Sequence, residues 1–356
     1  MAEPIDILSL TDEELAAQLA ELGQPKYRAG QIFTHLMRAK SFDQMQNLPL
    51  SLREILGQHY FSAMPTVAQK QVSAIDGTVK FLFALHDGAH VESVLLRYGY
   101  GNTLCISTQV GCRMGCRFCA STLGGKIRDL LPSEMLGQVI AASAEEDCRI
   151  SHVVMMGIGE PLDNYDNTVT FLRLARDPKR LGISPRNISL STCGVVPGIL
   201  RLAKEEIPVT LSVSLHAPTD EERSRIMPVN VKYPIAQLLG ACRTYFETTG
   251  RRISFEYTLI AGVNDSPEQA GVLAGVLRRH LPHMPIHVNL IRLNRVKERE
   301  FEGGSTESAH RFAKALEKHG IVATLRRRLG ADIDAACGQL RRKTEHPSTT
   351  PIGDTV

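Results

Sequence analysis

Three cysteines, Cys112, Cys116 and Cys119, stand in the spacing Cys-x-x-x-Cys-x-x-Cys. Clustered thiolates are soft ligands that bind zinc or an iron–sulfur cluster. A structural zinc site normally completes its fourth position with a nearby Cys or His, and neither follows here at the usual spacing. The spacing therefore favours an iron–sulfur cluster with one open iron, which can bind and reduce a further molecule, over a zinc site or ordinary buried cysteines.

The part of the chain that must position these cysteines alternates between strand-like and helix-like segments. The predicted strands lie near residues 103–109, 152–157, 187–192, 209–216, 252–260 and 286–294. The predicted helices lie near residues 133–147, 166–177, 197–205, 234–248, 267–280 and 306–319. Such alternation predicts parallel strands joined by right-handed crossovers. Six repeats are fewer than the eight of a closed barrel, so we expect an α/β fold with a partial (β/α)6 barrel that is open to a large substrate.

Two smaller regions are expected before the barrel. Residues 1–66 show helical periodicity, with Thr11 and Glu14 in a capping-box pattern, and predict a helical accessory domain. Residues 67–102 form short alternating runs around two Asp-Gly turn signals, which predict a small antiparallel β extension. The barrel is expected to occupy residues 103–342, and the polar tail 343–356 is expected to be disordered.

Glycines and polar residues recur where the predicted strands end. In parallel α/β folds these carboxyl ends form the ligand site. The cysteine run follows the first strand, and the glycine-rich turn 157–161, with Glu160, follows the second. Ser191, Ser214, His216 and Asn294 lie at the ends of later strands. Each is a common turn residue when taken alone, but their recurrence predicts one shared polar pocket.

Composition favours a cytoplasmic enzyme with metal or redox chemistry. The chain has 356 residues, 43% of them hydrophobic, and eight cysteines, without an apolar leader or a stretch long enough to span a bilayer. The net charge of +3 decides nothing by itself. Basic clusters at 26–28, 251–252, 326–328 and 341–343 permit a phosphate-rich partner, although any single cluster more often lies at a solvated end of an element.

Taken together, these motifs resemble the RlmN/Cfr family of RNA adenine methyltransferases in the radical S-adenosylmethionine (SAM) superfamily. The resemblance covers the chain to about residue 342. Its specific parts lie at residues 27–33, 91–93, 105–112, 157–161, 214–217, 225–230, 256–260, 262–265 and 332–340.

The resemblance implies a ligand set and a cofactor pocket. Cys112, Cys116 and Cys119 would hold a [4Fe-4S] cluster, with SAM bound at its open iron. The residues that would line the SAM pocket are Gly159, Glu160, Ser191, Ser214, Leu215, His216 and Asn294.

The resemblance also implies a covalent mechanism that uses two further cysteines. C2 of adenine is electron-poor and cannot attack a sulfonium methyl, so the methyl is first moved to Cys337. A second SAM is then cleaved by one electron, and a hydrogen is removed from the Cys337 methyl, whose carbon adds to C2. Glu92 resembles the acceptor of the C2 proton, and Cys105 resembles the thiol that forms a disulfide with Cys337 and releases the product.

The implied partners are 23S rRNA, tRNA and a one-electron reductant such as a flavodoxin or ferredoxin system, with no membrane association. We expect a monomer. Alternatives are C8 methylation of the same rRNA adenine, a radical enzyme acting on a small metabolite, and a zinc-stabilised RNA-binding protein. Cys148, Cys193 and Cys242 match no motif and are expected to be core residues.

Overall fold

The structure is a computed structural model that describes residues 4–296, 298–333 and 340. The predicted methyl-carrying residue Cys337 and the predicted disordered tail lie outside the described residues.

The first elements form the helical segment that the periodicity predicts. Its helices are α1 (Asp12–Glu21), α2 (Arg28–Leu36) and α3 (Leu50–His59), and it is bounded by the short strands β1 (Ile5–Asp6) and β2 (Tyr60–Phe61). The capping box of Thr11 and Glu14 is present at the start of α1. Each side chain accepts a hydrogen bond from the backbone N–H of the other residue, which would otherwise be unpaired. Strands β1 and β2 pair in parallel, which brings the two ends of the helical segment together.

Four antiparallel strands follow. They are β3 (Thr66–Val72), β4 (Val79–Ala84), β5 (His90–Tyr98) and β6 (Gly101–Cys105). The turn signals at Gly77 and Gly88 lie between β3 and β4 and between β4 and β5, and both glycines have the positive φ that such turns require. The predicted hairpins are therefore confirmed.

The predicted strand 103–109 is divided in the structure. Strand β6 ends at Cys105, and a separate two-stranded hairpin forms from β7 (Gln109–Gly111) and β8 (Lys126–Asp129). Between them lies Ser107, whose hydroxyl donates to the Glu92 carbonyl at 2.6 Å. The prediction of one continuous strand was wrong here, since the apolar pattern does not report such a polar anchor.

The remaining elements alternate as expected. They are α4 (Pro132–Glu145), β9 (Ile150–Met155), α5 (Tyr165–Arg176), β10 (Ile188–Thr192), α6 (Val196–Leu202), β11 (Thr210–Ser214), α7 (Asp220–Ile226), α8 (Val229–Lys232), α9 (Ile235–Thr249), β12 (Ile253–Leu259), α10 (Pro267–His280), β13 (Ile286–Arg292), α11 (Thr306–Lys318) and β14 (Val322–Leu325).

All the long strands belong to one ten-stranded sheet, in the order β14-β13-β12-β11-β10-β9-β6-β5-β4-β3. The pairings from β6 through β14 are parallel and those from β6 back to β3 are antiparallel. The predicted α/β partial barrel is confirmed, with β14 as a further parallel strand beyond the six predicted. The antiparallel extension continues the barrel sheet, and one core cluster runs from the helical segment through the barrel.

Within the described residues, no helix combines the length and the apolar character needed to cross a bilayer.

Candidate active site

The loop that carries the three cysteines begins at the hairpin of β7 and β8. The Cys112 N–H donates to the Gly125 carbonyl at 3.0 Å. Gly111 has φ +78°, and a Cβ at this position would lie 1.9 Å from the same carbonyl oxygen. Only glycine permits this approach, so the glycine before the first cysteine fixes where the loop starts.

The second half of the loop is held by a hydroxyl and a distant arginine. The Thr122 hydroxyl donates to the carbonyls of Cys116 and Cys119, at 3.1 and 3.0 Å. Arg299 reaches from the segment after β13 and donates to the Cys119 carbonyl at 3.3 Å and to the Thr122 hydroxyl at 2.8 Å. The backbone between the cysteines is therefore ordered by contacts to its carbonyl groups.

The donor set fits an iron–sulfur cluster. Burial raises the pKa of Cys112 to about 12 and also raises the pKa of Cys116, and a bound positive metal centre would favour the thiolate form of these sulfurs. Among the described residues, no three His, Cys, Asp or Glu side chains surround a single point as ligands of one ion. Cluster thiolates bind different irons, so the fit rests on ligand type and sequence spacing.

The glycine-rich turn after β9 packs directly on the first strand region. Gly159 has φ +111°, and a Cβ there would lie 2.6 Å from the Gln109 Cβ. The Glu160 side chain is buried, and its two oxygens accept from the N–H groups of Leu162 and Cys193 at 3.1 and 2.7 Å. Burial raises the pKa of Glu160. This carboxyl group ties the end of β9 to the end of β10.

A buried arginine orders the ends of β10 and β11. The Arg223 side chain is fully buried and donates to the backbone carbonyls of Cys193, Ser214 and Leu215, at 2.7, 3.0 and 3.0 Å. Its remaining contact is the Asn230 side-chain oxygen at 2.9 Å. Ser214 and Leu215, predicted to bind SAM, are thus positioned through their carbonyl groups.

His216 lies directly after this segment in a left-handed conformation, with φ +58°. Its Nδ1 accepts from the Thr258 N–H at 2.9 Å, and its ring meets the edge of the Phe118 ring with centroids 5.0 Å apart. Burial, reinforced by Arg223, lowers the pKa of His216 to about 3, so the imidazole is neutral. Since Phe118 precedes Cys119, His216 connects the strand ends to the cysteine loop.

A cavity of about 280 Å³ opens at this side of the sheet. Three predicted site residues line it: Cys105, Cys119 and Asn294. Its other walls are Val94, Leu96, Tyr98, Phe118, Ala120, Met156, Thr258, Ile291, Arg292, Leu293, Val296, Arg326, Arg327, Arg328 and Leu329.

The remaining predicted SAM residues are not among the residues that line this cavity, and they lie at or after the carboxyl ends of neighbouring strands. Gly159 and Glu160 follow β9, Ser191 lies in β10, and Ser214, with Leu215 and His216 after it, ends β11. Of these strand-end residues, His216 has a direct link to the cavity wall through Thr258. The structure therefore brings the predicted residues to one edge of the sheet, with three of them in the cavity.

Glu92 shares a sheet face with Cys105. In the register of β5 and β6, Val94 lies opposite Cys105, and Glu92 stands two residues before Val94 on the same strand. Residues two apart on a strand point to the same face. The Glu92 carboxylate is buried and forms an ion pair with the fully buried Lys80 at 2.8 Å. The predicted proton acceptor thus has a charge partner that the sequence analysis did not single out.

The signal for Lys80 was present in the sequence, since a lysine inside the otherwise apolar run of β4 needs a partner once buried. Arg223 gave no such signal because it lies in a charged helix. No disulfide bond joins cysteines within the described ranges. The disulfide between Cys105 and Cys337 stays a prediction.

Comparison with known proteins assigns the class first. The family model described as the Radical SAM superfamily matches residues 106–270, which contain the cysteine loop and strands β9 to β12. The fold and the cysteine loop therefore define a radical SAM enzyme. A second family model, described as the ribosomal RNA large subunit methyltransferase N-terminal domain, matches residues 5–61. This match coincides with the helical segment from β1 to β2.

Relatives then define the family. The chain is 50% identical over 340 residues to a protein of Lachnospira eligens named "Probable dual-specificity RNA methyltransferase RlmN", covering 95% of this chain and 96% of the relative. A protein of Pelotomaculum thermopropionicum with the same name is 50% identical over 345 residues, covering 96% and 93%. The crystal structure of a radical SAM methyltransferase from Sphaerobacter thermophilus superposes with a TM-score of 0.88 at 44% identity, covering 94% of this chain and 99% of that one. The chain belongs to the RlmN family of radical SAM RNA methyltransferases. The resemblance read from the sequence is confirmed, and the family implies a [4Fe-4S] cluster, SAM and an external reductant.

Proposed function

We propose that this enzyme methylates C2 of adenine in 23S rRNA and in tRNA, in the cytoplasm, through a methylated Cys337. The observation that carries the proposal is the shared cavity: Cys105 and the cluster ligand Cys119 line it together, and Glu92 lies on the same sheet face as Cys105. The names of the relatives support RNA as the substrate.

The cofactors would be held by the residues at the strand ends. Cys112, Cys116 and Cys119 would ligate the [4Fe-4S] cluster. The residues that would contact SAM are Gly159, Glu160, Ser191, Ser214, Leu215, His216 and Asn294. When bound, these cofactors supply one-electron chemistry and the methyl group, with two SAM molecules used per turnover, and a flavodoxin or ferredoxin system would supply the electrons.

The protein itself orders the site at this edge of the sheet and keeps it buried from water. Glu160 is engaged with two backbone N–H groups, so we assign it the role of fixing the turn in which Gly159 offers its backbone to SAM. The neutral His216 ring adds no charge beside a sulfonium cation. Both features favour binding a positively charged cofactor in a buried site.

Proton removal would fall to Glu92. A buried carboxylate is costly unless it is paired, and Lys80 supplies the balancing charge at 2.8 Å. The position of Glu92 next to the cavity suits this carboxylate to accept the proton that leaves C2. Cys105 would then form the disulfide with Cys337 that frees the RNA.

Nucleoside analysis tests the proposed function. The anaerobically reconstituted enzyme is incubated with SAM, a reductant and unmodified 23S rRNA or tRNA, and the digested RNA is examined by mass spectrometry. We expect 2-methyladenosine from both RNAs and none with a Cys112→Ala variant. Formation of 8-methyladenosine would replace the proposal with C8 methylation, and an unmodified RNA with active SAM cleavage would point to another substrate.

A further inference from the structure

Two tyrosines form a stacked pair at the rim of the cavity. The Tyr98 and Tyr100 ring centroids are 5.0 Å apart with an interplanar angle of 9°. Tyr98 lines the cavity, whereas Tyr100 is 67% exposed. The His152 ring meets Tyr100 edge-on at 5.1 Å. Tyr100 is therefore held by two neighbouring rings and still presents most of its surface to solvent.

Three consecutive arginines line the same cavity. Arg327 and Arg328 are exposed, and within the described residues no carboxylate lies within ion-pair distance of either. Arg326 is anchored instead, with its backbone N–H donating to the Leu290 carbonyl at 2.8 Å. The rim thus combines a fixed aromatic surface with two positive charges that pair with no carboxylate in the part of the chain that the structure describes.

This combination fits a nucleic acid strand. Proteins that bind single strands use aromatic rings on which bases stack, together with cations that follow the phosphates. An exposed tyrosine or a basic strand end is common on its own, and neither would indicate a ligand. A row of anions could pair with the arginines, but it would leave the exposed Tyr100 ring without a partner. A flat, apolar group such as a base fits this ring.

We propose that Tyr100, stacked on Tyr98, holds one base of an unpaired RNA nucleotide that flanks the target adenine, while Arg327 and Arg328 bind the adjacent phosphates. The inference rests on the proposed function. Tyr98 stands four residues along β5 from Val94, the residue opposite Cys105, which is roughly 14 Å. The base on Tyr100 therefore lies within a few nucleotides of the reacting base, and this surface holds the RNA strand beside the target.

The test measures binding of a fluorescein-labelled, unmodified tRNA transcript to the reconstituted full-length enzyme by fluorescence anisotropy at several salt concentrations. Tyr100→Ala is expected to weaken binding roughly 5- to 140-fold with an unchanged salt dependence. Tyr100→Phe keeps the ring and is expected to bind like the wild type. SAM cleavage without RNA should be equal in all three, which shows that the fold is intact.

The arginines have a separate readout. Arg327→Ala should reduce the slope of log K against log salt by about one. The matched control is Arg243→Ala, which removes the same charge from an exposed site on α9, where Arg243 forms a weak ion pair with Glu247 at 3.9 Å. It should leave the slope unchanged.

Several outcomes would overturn the inference. Wild-type affinity in Tyr100→Ala, or equal losses in Tyr100→Ala and Tyr100→Phe, would exclude base stacking. Equal slopes for Arg327→Ala and Arg243→Ala would exclude the phosphate contact. If Tyr100→Ala weakened binding of a polyglutamate peptide as much as binding of tRNA, the surface would serve an acidic protein instead. A wild type that neither binds nor methylates RNA would refute the proposed function itself.

Discussion

Lys80 and Glu92 form an ion pair that is almost wholly buried. Removing one partner takes the opposite charge away from a buried ionised group, which costs about 3–5 kcal/mol. We therefore expect Lys80→Met to lower the free energy of unfolding by that amount in urea titrations.

The control for this pair is the double variant Lys80→Met/Glu92→Leu. Replacing both charges with apolar groups removes the buried carboxylate together with the lysine, so the double variant should recover most of the lost stability and still lack methylation activity. A double variant as unstable as the single one would show that the pair does not act as a unit.

Gly159 has a positive φ and lies against Gln109, so it has no room for a side chain. Gly159→Ala should lower stability by more than about 1 kcal/mol and weaken SAM binding, because the turn that carries Glu160 must shift. Equilibrium dialysis with SAM measures the second effect.

Gly240 supplies the matched substitution. It lies in α9, where a Cβ meets nothing within 4 Å. Gly240→Ala should be neutral or slightly stabilising and should bind SAM normally. Normal SAM affinity in Gly159→Ala would contradict the assigned role of the turn.

At the scale of elements, the ends of β10 and β11 depend on one helix residue. Arg223 of α7 supplies donors to three backbone carbonyls. Arg223→Met leaves these buried groups unsatisfied, so we expect a loss of about 3 kcal/mol or more, faster amide exchange at the end of β11, and weaker SAM binding.

Arg225 on the same helix is the control. Its side chain is 70% exposed and pairs with the equally exposed Glu221. Arg225→Met should cost at most about 1 kcal/mol and leave SAM binding unchanged. Similar losses in the two variants would mean that α7 contributes only general stability.

Elements with strong local signals could be predicted from the sequence, and those fixed by tertiary contacts could not. Helix α10 begins at Pro267 after the Ser266 cap and ends at His280, as its pattern indicates. Strand β14 is a short run of four residues whose burial alternates weakly, and it is recognisable only from its pairing with β13. The three cysteine ligands are predicted from their spacing, and their role stays a prediction. The partnership of Glu92 with Lys80 required the register of β4 and β5.

At the scale of the whole molecule, the helical segment is docked on the barrel by a buried arginine. The Arg180 side chain donates to the carbonyls of Leu8 and Leu10, and its guanidinium lies 3.7 Å from the Phe33 ring centroid. Arg180→Ala should loosen this docking. We expect the rate of RNA methylation to fall at least tenfold, while SAM cleavage persists. A tenfold loss corresponds to an increase of about 1.4 kcal/mol in the activation free energy.

The exposed Arg176, the last residue of α5 and four residues before Arg180, is the control, and Arg176→Ala should leave both activities unchanged. Loss of SAM cleavage together with methylation in Arg180→Ala would indicate that the helical segment only supports the fold. The match of residues 5–61 to a methyltransferase N-terminal domain favours a role toward RNA.

The central claim is that Cys105 faces the cavity in which the RNA base reacts. The most direct measurement is denaturing gel electrophoresis with mass spectrometry of the Cys105→Ala enzyme after anaerobic incubation with SAM, reductant and substrate RNA, beside Cys148→Ala as a cysteine outside the cavity. The account predicts a covalent RNA adduct in Cys105→Ala that Cys148→Ala does not accumulate. Normal release of methylated RNA by Cys105→Ala, with no adduct, would contradict it.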